Sequence, residues 1–214
     1  MDKVCILVGA GEFCETSLPA GECHLLIAVD GGYDHLCRIG RTPDVLIGDG
    51  DSLVEKAVVS ETIQLPREKD DTDMRAAIQC GWERGYRQFL LYGGMGGRLD
   101  HTLANLQCLA DVSARGGRAW LVGTREMVTA ITNDTFLLPS GRKGTVSVFA
   151  HSDRAVEVYI KGLAYELECA ALTNDFPIGV SNESDGTGGR ISVGDGTLLI
   201  VYPRGERTDE GGDI

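Results

Sequence analysis

The sequence predicts an α/β fold with two domains: an N-terminal, mostly parallel sheet with flanking helices, and a C-terminal all-β domain. In the first part of the chain, solid apolar runs alternate with amphipathic segments, which is typical of strands buried on both faces of a parallel sheet. From about Met127 the helical period disappears and apolar residues alternate with polar ones, as in half-buried strands. We place the boundary between Thr124 and Pro139, with domains over residues 1–130 and 131–214.

The predicted strands and helices of the first domain follow in order. Apolar runs of strand length occupy residues 4–8, 25–29, 45–47, 89–92 and 119–122, and a further strand lies near residues 63–65. Amphipathic segments at 72–84 and 99–115 predict helices that end at glycines suited to a C-terminal cap. In the second helix we expect four apolar side chains to point inward: Leu103, Leu106, Leu109 and Ala110. Strands that alternate with helices predict helices packed on a sheet.

The second domain shows strand patterns only. Residues 145–149 and 156–160 alternate with period two, and shorter apolar segments follow at 191–193 and 198–202. Glycine-rich turns separate these segments. The pattern predicts a small sandwich or barrel.

The composition excludes several classes of function. The 214 residues include 32 acidic and 20 basic side chains, which gives a formal net charge of −12. This excess argues against nucleic-acid binding, which needs a basic surface, and against attachment to an anionic membrane. No stretch approaches the roughly 20 apolar residues of a membrane span. The seven cysteines form no CxxC pair, which argues against a zinc site and favours reduced thiols in the cytoplasm.

Carboxylates follow several of the predicted strands. The segments are Asp30-Gly31-Gly32, then Gly48-Asp49-Gly50-Asp51-Ser52, then Lys69-Asp70-Asp71-Thr72-Asp73. Each alone is compatible with a simple turn or helix cap. Together they place acidic groups at the edge where open α/β sheets bind ligands. A divalent cation relieves their mutual repulsion, and oxygen ligands in this number suit magnesium.

A glycine-rich loop at residues 93–97 leads through Arg98 into a predicted helix. Its backbone N–H groups can hold a phosphate, and Arg98 can bind phosphate oxygens with two hydrogen bonds. The loop is not a Walker A motif, because no Gly-Lys-Ser/Thr follows. Gly9-Ala10-Gly11 lacks the third glycine of a dinucleotide fingerprint, although Gly9 and Gly11 can still line a ligand crevice. Among the histidines, only His101 belongs to this cluster, and we interpret His24, His35 and His151 as ordinary surface or core residues.

Taken in order, these motifs resemble those of the thiamine pyrophosphokinase family. The match also includes Pro43-Asp44, Gly96-Gly97-Arg98-Leu99-Asp100-His101 with Thr102-Leu103-Ala104-Asn105, and Ser181-Asn182-Glu183. The resemblance implies transfer of the pyrophosphoryl group of ATP to the thiamine hydroxyl, in line and with magnesium, to give thiamine diphosphate and AMP. It also implies a Rossmann-like catalytic domain, a β-sandwich that binds thiamine, and a homodimer with the active site at the subunit interface.

The resemblance assigns a role to each matching residue. Asp49, Asp51 and Asp73 would hold magnesium. The residues on the nucleotide side would be Asp30, Gly31, Gly32, Asp49, Ser52, Lys69, Gly96, Gly97 and Arg98. The catalytic residues would be Asp73, Asp100 and Arg98, and either Asp73 or Asp100 would accept the hydroxyl proton or orient the hydroxyl. The residues on the thiamine side would be Asp100, His101, Asn105, Ser181 and Asn182.

The sequence departs from the family pattern at two places, and three other functions are compatible with it. Gly50 stands where family members often carry a bulky residue, and no aromatic residue closely follows Ser181-Asn182-Glu183. One alternative is a diphosphokinase for another heterocyclic alcohol, such as a pterin. Another is a non-catalytic sensor that binds a nucleotide or thiamine, although a silent binder has no need of so many repelling acids. The third is a magnesium-dependent phosphatase.

Overall fold

The computed structural model describes residues 3–13, 18–19, 24–49, 59–66 and 70–205. The chain divides into two compact units, Met1–Thr124 and Arg125–Ile214. It is a mixed α/β protein with a large, parallel sheet in the first unit and antiparallel strands in the second. Gly50, Asp51, Ser52 and Lys69, which enter the predictions made above, lie outside the described residues.

The described part of the first unit contains strands and helices in alternation. They are β1 (Val4–Val8), β2 (Leu25–Val29), α1 (Gly32–Arg38), β3 (Val45–Gly48), β4 (Glu61–Gln64), α2 (Asp73–Glu83), β5 (Gln88–Tyr92), α3 (Leu99–Ala114) and β6 (Arg118–Val122). The strands lie in the order β6-β5-β1-β2-β3-β4, and neighbouring strands pair in parallel. The carboxyl ends of the strands therefore share one edge of the sheet.

The central strands are buried because helices cover a parallel sheet on both faces. Every residue of β1 is at most 5% exposed, and all of β3 is buried. β4 is different, since Glu61, Thr62 and Gln64 are exposed, as expected of a strand with a neighbour on one side. The solid apolar runs therefore mark the buried strands correctly.

The helix α2 begins as the sequence predicts. Thr72 caps it, and its hydroxyl accepts a hydrogen bond from the backbone N–H of Arg75 at 3.2 Å. Gly85 follows the helix with φ +87°, a left-handed conformation that favours glycine.

The prediction that Leu103 of α3 points inward is wrong. Leu103 is 54% exposed, whereas Asn105 is only 5% exposed and takes the inward position. Two residues along a helix turn by about 200°, so these side chains lie on nearly opposite faces. Asn105 is stable there because its amide donates a hydrogen bond to the carbonyl of Gly94 at 2.8 Å. Leu109 and Ala110 are buried as expected.

The second unit contains the remaining described strands. They are β7 (Glu126–Thr132), β8 (Thr135–Leu138), β9 (Lys143–Ala150), β10 (Arg154–Lys161), β11 (Leu167–Thr173), β12 (Asn182–Asp185), β13 (Gly189–Ser192) and β14 (Thr197–Pro203). They pair antiparallel in two groups, β12-β9-β14-β7 and β11-β10-β13-β8. Phe136 of β8 and Tyr202 of β14 connect the groups, with ring centroids 5.1 Å apart.

Among the described residues, no helix has both the length and the apolar character needed to cross a bilayer.

The described cysteines predict a clear order of reactivity. Cys5 and Cys108 are buried, and burial raises the pKa of both thiols, that of Cys108 to about 11. Cys37 and Cys169 are exposed. Because the thiolate is the nucleophile, iodoacetamide at neutral pH should alkylate the exposed pair at least about tenfold faster. Peptide mass spectrometry measures these rates, and guanidinium-unfolded protein is the control. Equal alkylation rates for all four cysteines in the native protein would contradict the burial of Cys5 in β1 and of Cys108 in α3.

Candidate functional site

A cleft of about 280 Å³ lies at the carboxyl edge of the parallel sheet, within the first unit. Loops after β1, β2 and β5 line it, together with the first turns of α2 and α3. Six of the residues to which the sequence assigns a role contribute to its wall: Asp30, Asp73, Gly97, Arg98, His101 and Asn105. So do Gly9 and Gly11, which we expect to line a crevice. Segments that are far apart in the chain therefore meet at this edge.

Asp30 is held by an unusual backbone conformation. Its φ is +50°, in the left-handed region that residues with a side chain seldom adopt. Its N–H donates a hydrogen bond to the carbonyl of Ile47 at 2.7 Å, which ties the end of β2 to β3. Gly32 packs so closely on β1 that any Cβ at this position would overlap the carbonyl of Val8. The turn at residues 30–32 is thus fixed against both neighbouring strands.

Two carboxylates at the start of α2, those of Asp71 and Asp73, have different environments. Asp71 binds within its own segment, accepting hydrogen bonds from the N–H of Thr72 at 2.8 Å and from the Arg75 guanidinium at 2.9 Å. Asp73, in the first turn, lines the cleft instead. Asp49 directly follows β3 and is half-buried, and it does not line this cleft.

The loops after β1 and β5 run side by side. Backbone N–H groups of Gly9, Gly11 and Glu12 donate hydrogen bonds to the carbonyls of residues 92, 93 and 95, at 2.7 to 2.8 Å. Gly93 has φ +62°, and a Cβ there would overlap the carbonyl of Gly9. The glycines of the two loops are therefore needed for this close approach.

Asn105 fixes the other side of the glycine loop through its bond to Gly94. A Cβ on Gly94 would lie 2.5 Å from Leu121 and 3.0 Å from the Asn105 amide, so this position also requires glycine. Gly96 has φ +75° and packs on the side chain of Glu12. The loop at residues 93–97 is thus shaped from both sides before any ligand binds.

Arg98 and Asp100 form a bidentate ion pair at the start of α3. Nε of Arg98 donates to Oδ1 of Asp100 at 3.1 Å, and Nη2 donates to Oδ2 at 2.5 Å. Both side chains are largely exposed, at 72% and 61%. The hydrogen bond from Arg98 lowers the pKa of the Asp100 carboxyl and raises the pKa of the guanidinium. Arg98 lines the cleft, whereas Asp100 does not.

The predicted thiamine residues of the second unit have different environments. Ser181 is exposed and has φ +62°, and its N–H donates to the Ser147 hydroxyl at 3.1 Å. Asn182 is only 6% exposed. Its carbonyl oxygen accepts hydrogen bonds from the N–H of Tyr165 at 2.9 Å and of Glu183 at 2.8 Å, and its amide donates to the carbonyl of Tyr165 at 2.6 Å. Asn182 thus anchors the backbone of Tyr165.

Two family models match this chain. "Thiamin pyrophosphokinase, catalytic domain" matches residues 19–121, and "Thiamin pyrophosphokinase, vitamin B1 binding domain" matches residues 135–198. Together they cover most of the sequence. The chain belongs to the thiamin pyrophosphokinase family.

Individual relatives agree with this membership. "Thiamine pyrophosphokinase" of Bacillus subtilis (strain 168) is 26% identical over 185 residues, which cover 83% of this chain and 86% of that protein. The crystal structure of thiamin pyrophosphokinase from Geobacillus thermodenitrificans has a TM-score of 0.81 at 26% identity, over 96% of this chain and 99% of that one. A crystal structure of thiamine pyrophosphokinase from Bacillus subtilis has the same fold, with a TM-score of 0.83 at 23% identity over 94% and 99% of the chains.

A magnesium ion fits the chemistry of this cleft. Asp30 and Asp73 bring hard carboxylate oxygens to one cleft, which is the ligand type that magnesium prefers. Within the described residues, no group of three or more acidic, histidine or cysteine side chains is close enough to hold a metal ion. The predicted ligand Asp51 lies outside these residues.

Two residues with notable contacts carry no signal in the sequence. Tyr165 has a side chain that is 68% exposed while its backbone is held by Asn182. His35, interpreted above as an ordinary residue, places Nε2 3.0 Å from the carbonyl oxygen of Gly11 in the cleft wall. No local motif marks either residue, because each contact joins distant parts of the chain.

Proposed function

We propose that the chain transfers the pyrophosphoryl group of ATP in line to the hydroxyl of thiamine, giving thiamine diphosphate and AMP. One observation carries the proposal beyond family membership. Two carboxylates, a glycine loop and an arginine meet in one cleft at the sheet edge where α/β proteins bind ligands. The comparisons give no support to a different heterocyclic alcohol or to a non-catalytic sensor.

The glycine loop and Arg98 form the phosphate-binding part of the proposed site. Gly96 and Gly97 lead directly into α3, whose N-terminal N–H groups favour an anion. Arg98 can exchange Asp100 for two phosphate oxygens, since both partners offer the same bidentate geometry. Asp30 with Gly31 and Gly32 would support the nucleotide. Ser52 and Lys69, which lie outside the described residues, remain predicted nucleotide-binding residues.

We carry over the magnesium ligands Asp49, Asp51 and Asp73 from the family resemblance. Of these, Asp73 lines the cleft, Asp49 directly follows β3, and Asp51 lies outside the described residues. When bound there, the ion would neutralise phosphate charge and hold the donor for in-line attack. The chain's own part is to position the reacting groups in the cleft.

We propose that one of two carboxylates, Asp73 or Asp100, accepts the hydroxyl proton or orients the hydroxyl. Asp73 lines the cleft. While Asp100 is paired with Arg98, its lowered pKa makes it a weak base. If Arg98 turns to the phosphates, the pKa of Asp100 rises toward its ordinary value. Asp100 and His101, in the first turn of α3, and Asn105 would then lie on the thiamine side.

Thiamine binding is assigned to the second unit and to a homodimer. The two antiparallel groups, with Phe136 against Tyr202, support a β-sandwich, and the parallel order of the first unit supports a Rossmann-like domain. Phe176, Ile178 and Val180 are exposed directly before Ser181, an apolar surface that suits contact with a second copy. We propose that Ser181 of one subunit reaches the cleft of the other, and that Asn182, whose side chain holds Tyr165 and the N–H of Glu183, positions this thiamine-binding segment. The cytoplasmic location stays a prediction from the cysteines.

Replacing Ser181 with alanine should raise the thiamine KM about fivefold to tenfold, because one hydrogen bond to the substrate is lost. The KM for ATP should stay within twofold of the wild-type value, since Ser181 belongs to the thiamine side. Steady-state kinetics with each substrate varied in turn measures both constants. Ser192→Ala, a half-buried serine of β13, is the matched control. A thiamine KM unchanged by Ser181→Ala would remove Ser181 from the substrate site.

The proposed activity is tested by incubating the protein with ATP and magnesium, with and without thiamine. We expect AMP and thiamine diphosphate in equal amounts, and AMP only when thiamine is present. Phosphate released without thiamine would indicate a phosphatase, and no turnover would indicate a binding protein. Turnover with a pterin alcohol but not with thiamine would indicate another diphosphokinase.

A further inference from the structure

The loop after β1 forms one wall of the cleft, and we call residues 9–13 the β1 loop. Gly9, Ala10 and Gly11 line the cleft directly. On one side the β1 loop is held by three backbone hydrogen bonds, one to the end of β5 and two to the loop that follows it. The opposite side of the β1 loop makes no part of these hydrogen bonds.

His35 of α1 makes further contacts with the β1 loop. Its Nε2 lies 3.0 Å from the carbonyl oxygen of Gly11 and 3.4 Å from that of Ala10. Its ring stacks on Phe13, with centroids 5.0 Å apart and planes inclined by 23°. Phe13 also meets Tyr92 edge to face, with centroids 6.3 Å apart. The β1 loop is therefore bound to α1 by both a polar and an aromatic contact.

The partners of His35 determine which nitrogen carries the hydrogen. A carbonyl oxygen only accepts hydrogen bonds, so Nε2 must be the donor toward Gly11. The guanidinium of Arg38 only donates, so Nδ1, at 3.4 Å from Nη1, must be the acceptor. With hydrogen on Nε2, His35 donates toward Gly11 while Nδ1 faces Arg38, so both ring nitrogens have a partner.

We propose that His35 is a positioning residue that locks the β1 loop to the turn at residues 30–32, so that two walls of the nucleotide cleft keep a fixed distance. α1 begins at Gly32, directly after Asp30 and Gly31, and His35 lies one turn further along. The inference rests on the proposed function only in identifying the occupant of the cleft as a nucleotide. His35 itself does not line the cleft, so it acts through the Gly11 carbonyl.

The test compares His35→Ala, His35→Gln and His151→Ala. His35→Ala should raise the KM for ATP about fivefold to tenfold, the effect of one lost hydrogen bond, with kcat and the thiamine KM within twofold of wild type. His35→Gln should recover most of the ATP affinity, because its amide can donate to the same carbonyl. His151→Ala in the second unit should change nothing. If His35 were merely structural, His35→Ala would lower stability without selectively raising the KM for ATP, and His35→Gln would not restore ATP affinity.

Binding of α,β-methylene-ATP with magnesium, measured by calorimetry, separates this inference from the proposed reaction. Weaker binding by His35→Ala supports the inference even if the wild type forms no thiamine diphosphate. Equal binding by wild type and His35→Ala overturns it, even if the wild type is fully active. If circular dichroism shows that His35→Ala is unfolded, Phe13→Ala takes its place, since it removes the stacking partner and should weaken binding in the same direction. Unchanged binding by Phe13→Ala would then overturn the inference.

Discussion

Asp73→Asn is expected to fold normally and to lose at least about a thousandfold in kcat, which corresponds to about 4 kcal/mol in the barrier. The loss follows from removing a charged oxygen from the cleft and from the proposed metal site. The fold should survive because Thr72, not Asp73, caps α2. Steady-state turnover with magnesium and ATP measures the loss, and circular dichroism checks the helix.

Asp71→Asn is the matched control for Asp73. It lies two residues away, but its carboxylate is bound to Arg75 and to the N–H of Thr72, so we expect activity within about threefold of wild type. The exposed ion pair should contribute no more than about 1 kcal/mol to stability. Near-normal turnover of Asp73→Asn, or equal damage from both changes, would show that the cleft does not distinguish the two carboxylates.

Arg98→Ala should lower kcat/KM for ATP about a hundredfold, because a positioned cation at developing phosphate charge is lost. Arg98→Lys should recover only part of the activity, since lysine is a point charge and cannot bind two oxygens in a fixed plane. Kinetics with ATP varied at saturating thiamine measures both changes.

Asp100→Asn distinguishes the role of Asp100 from that of its ion-pair partner Arg98. It frees Arg98 from its partner, so ATP should bind at least as tightly as in wild type, while turnover falls if Asp100 handles the hydroxyl proton. An ATP KM unaffected by Arg98→Ala would refute the phosphate role of Arg98. Weaker ATP binding by Asp100→Asn would refute the exchange of partners.

The sequence predicts the buried strands well and the short or polar elements poorly. β1 and β2 match their predicted bounds because solid apolar runs are a local property. α1, with seven residues, is too short to show a helical period, and β12, Asn182–Asp185, has no apolar residue at all. β12 is a strand because it pairs with β9, which is a contact between distant residues.

The same distinction applies to the site. Carboxylates at strand ends are visible in the sequence, because parallel strands bring their ends to one edge, and Asp30 and Asp73 indeed share a cleft. Contacts between distant residues are not visible, since Gly11 of the cleft wall and His35 are 24 residues apart, and Tyr165 and Asn182 of the second unit are 17 apart. The exposed position of Leu103 was missed for a related reason, because apolar periodicity gave no weight to the buried amide of Asn105.

We expect the β- and γ-phosphoryl groups of ATP to move together to thiamine. Incubation with magnesium, thiamine and ATP labelled with ³²P at the β-phosphorus tests it directly, with products separated by chromatography. All transferred label should appear in thiamine diphosphate, and AMP should carry none. Label in ADP or inorganic phosphate, or thiamine monophosphate as the first product, would contradict pyrophosphoryl transfer.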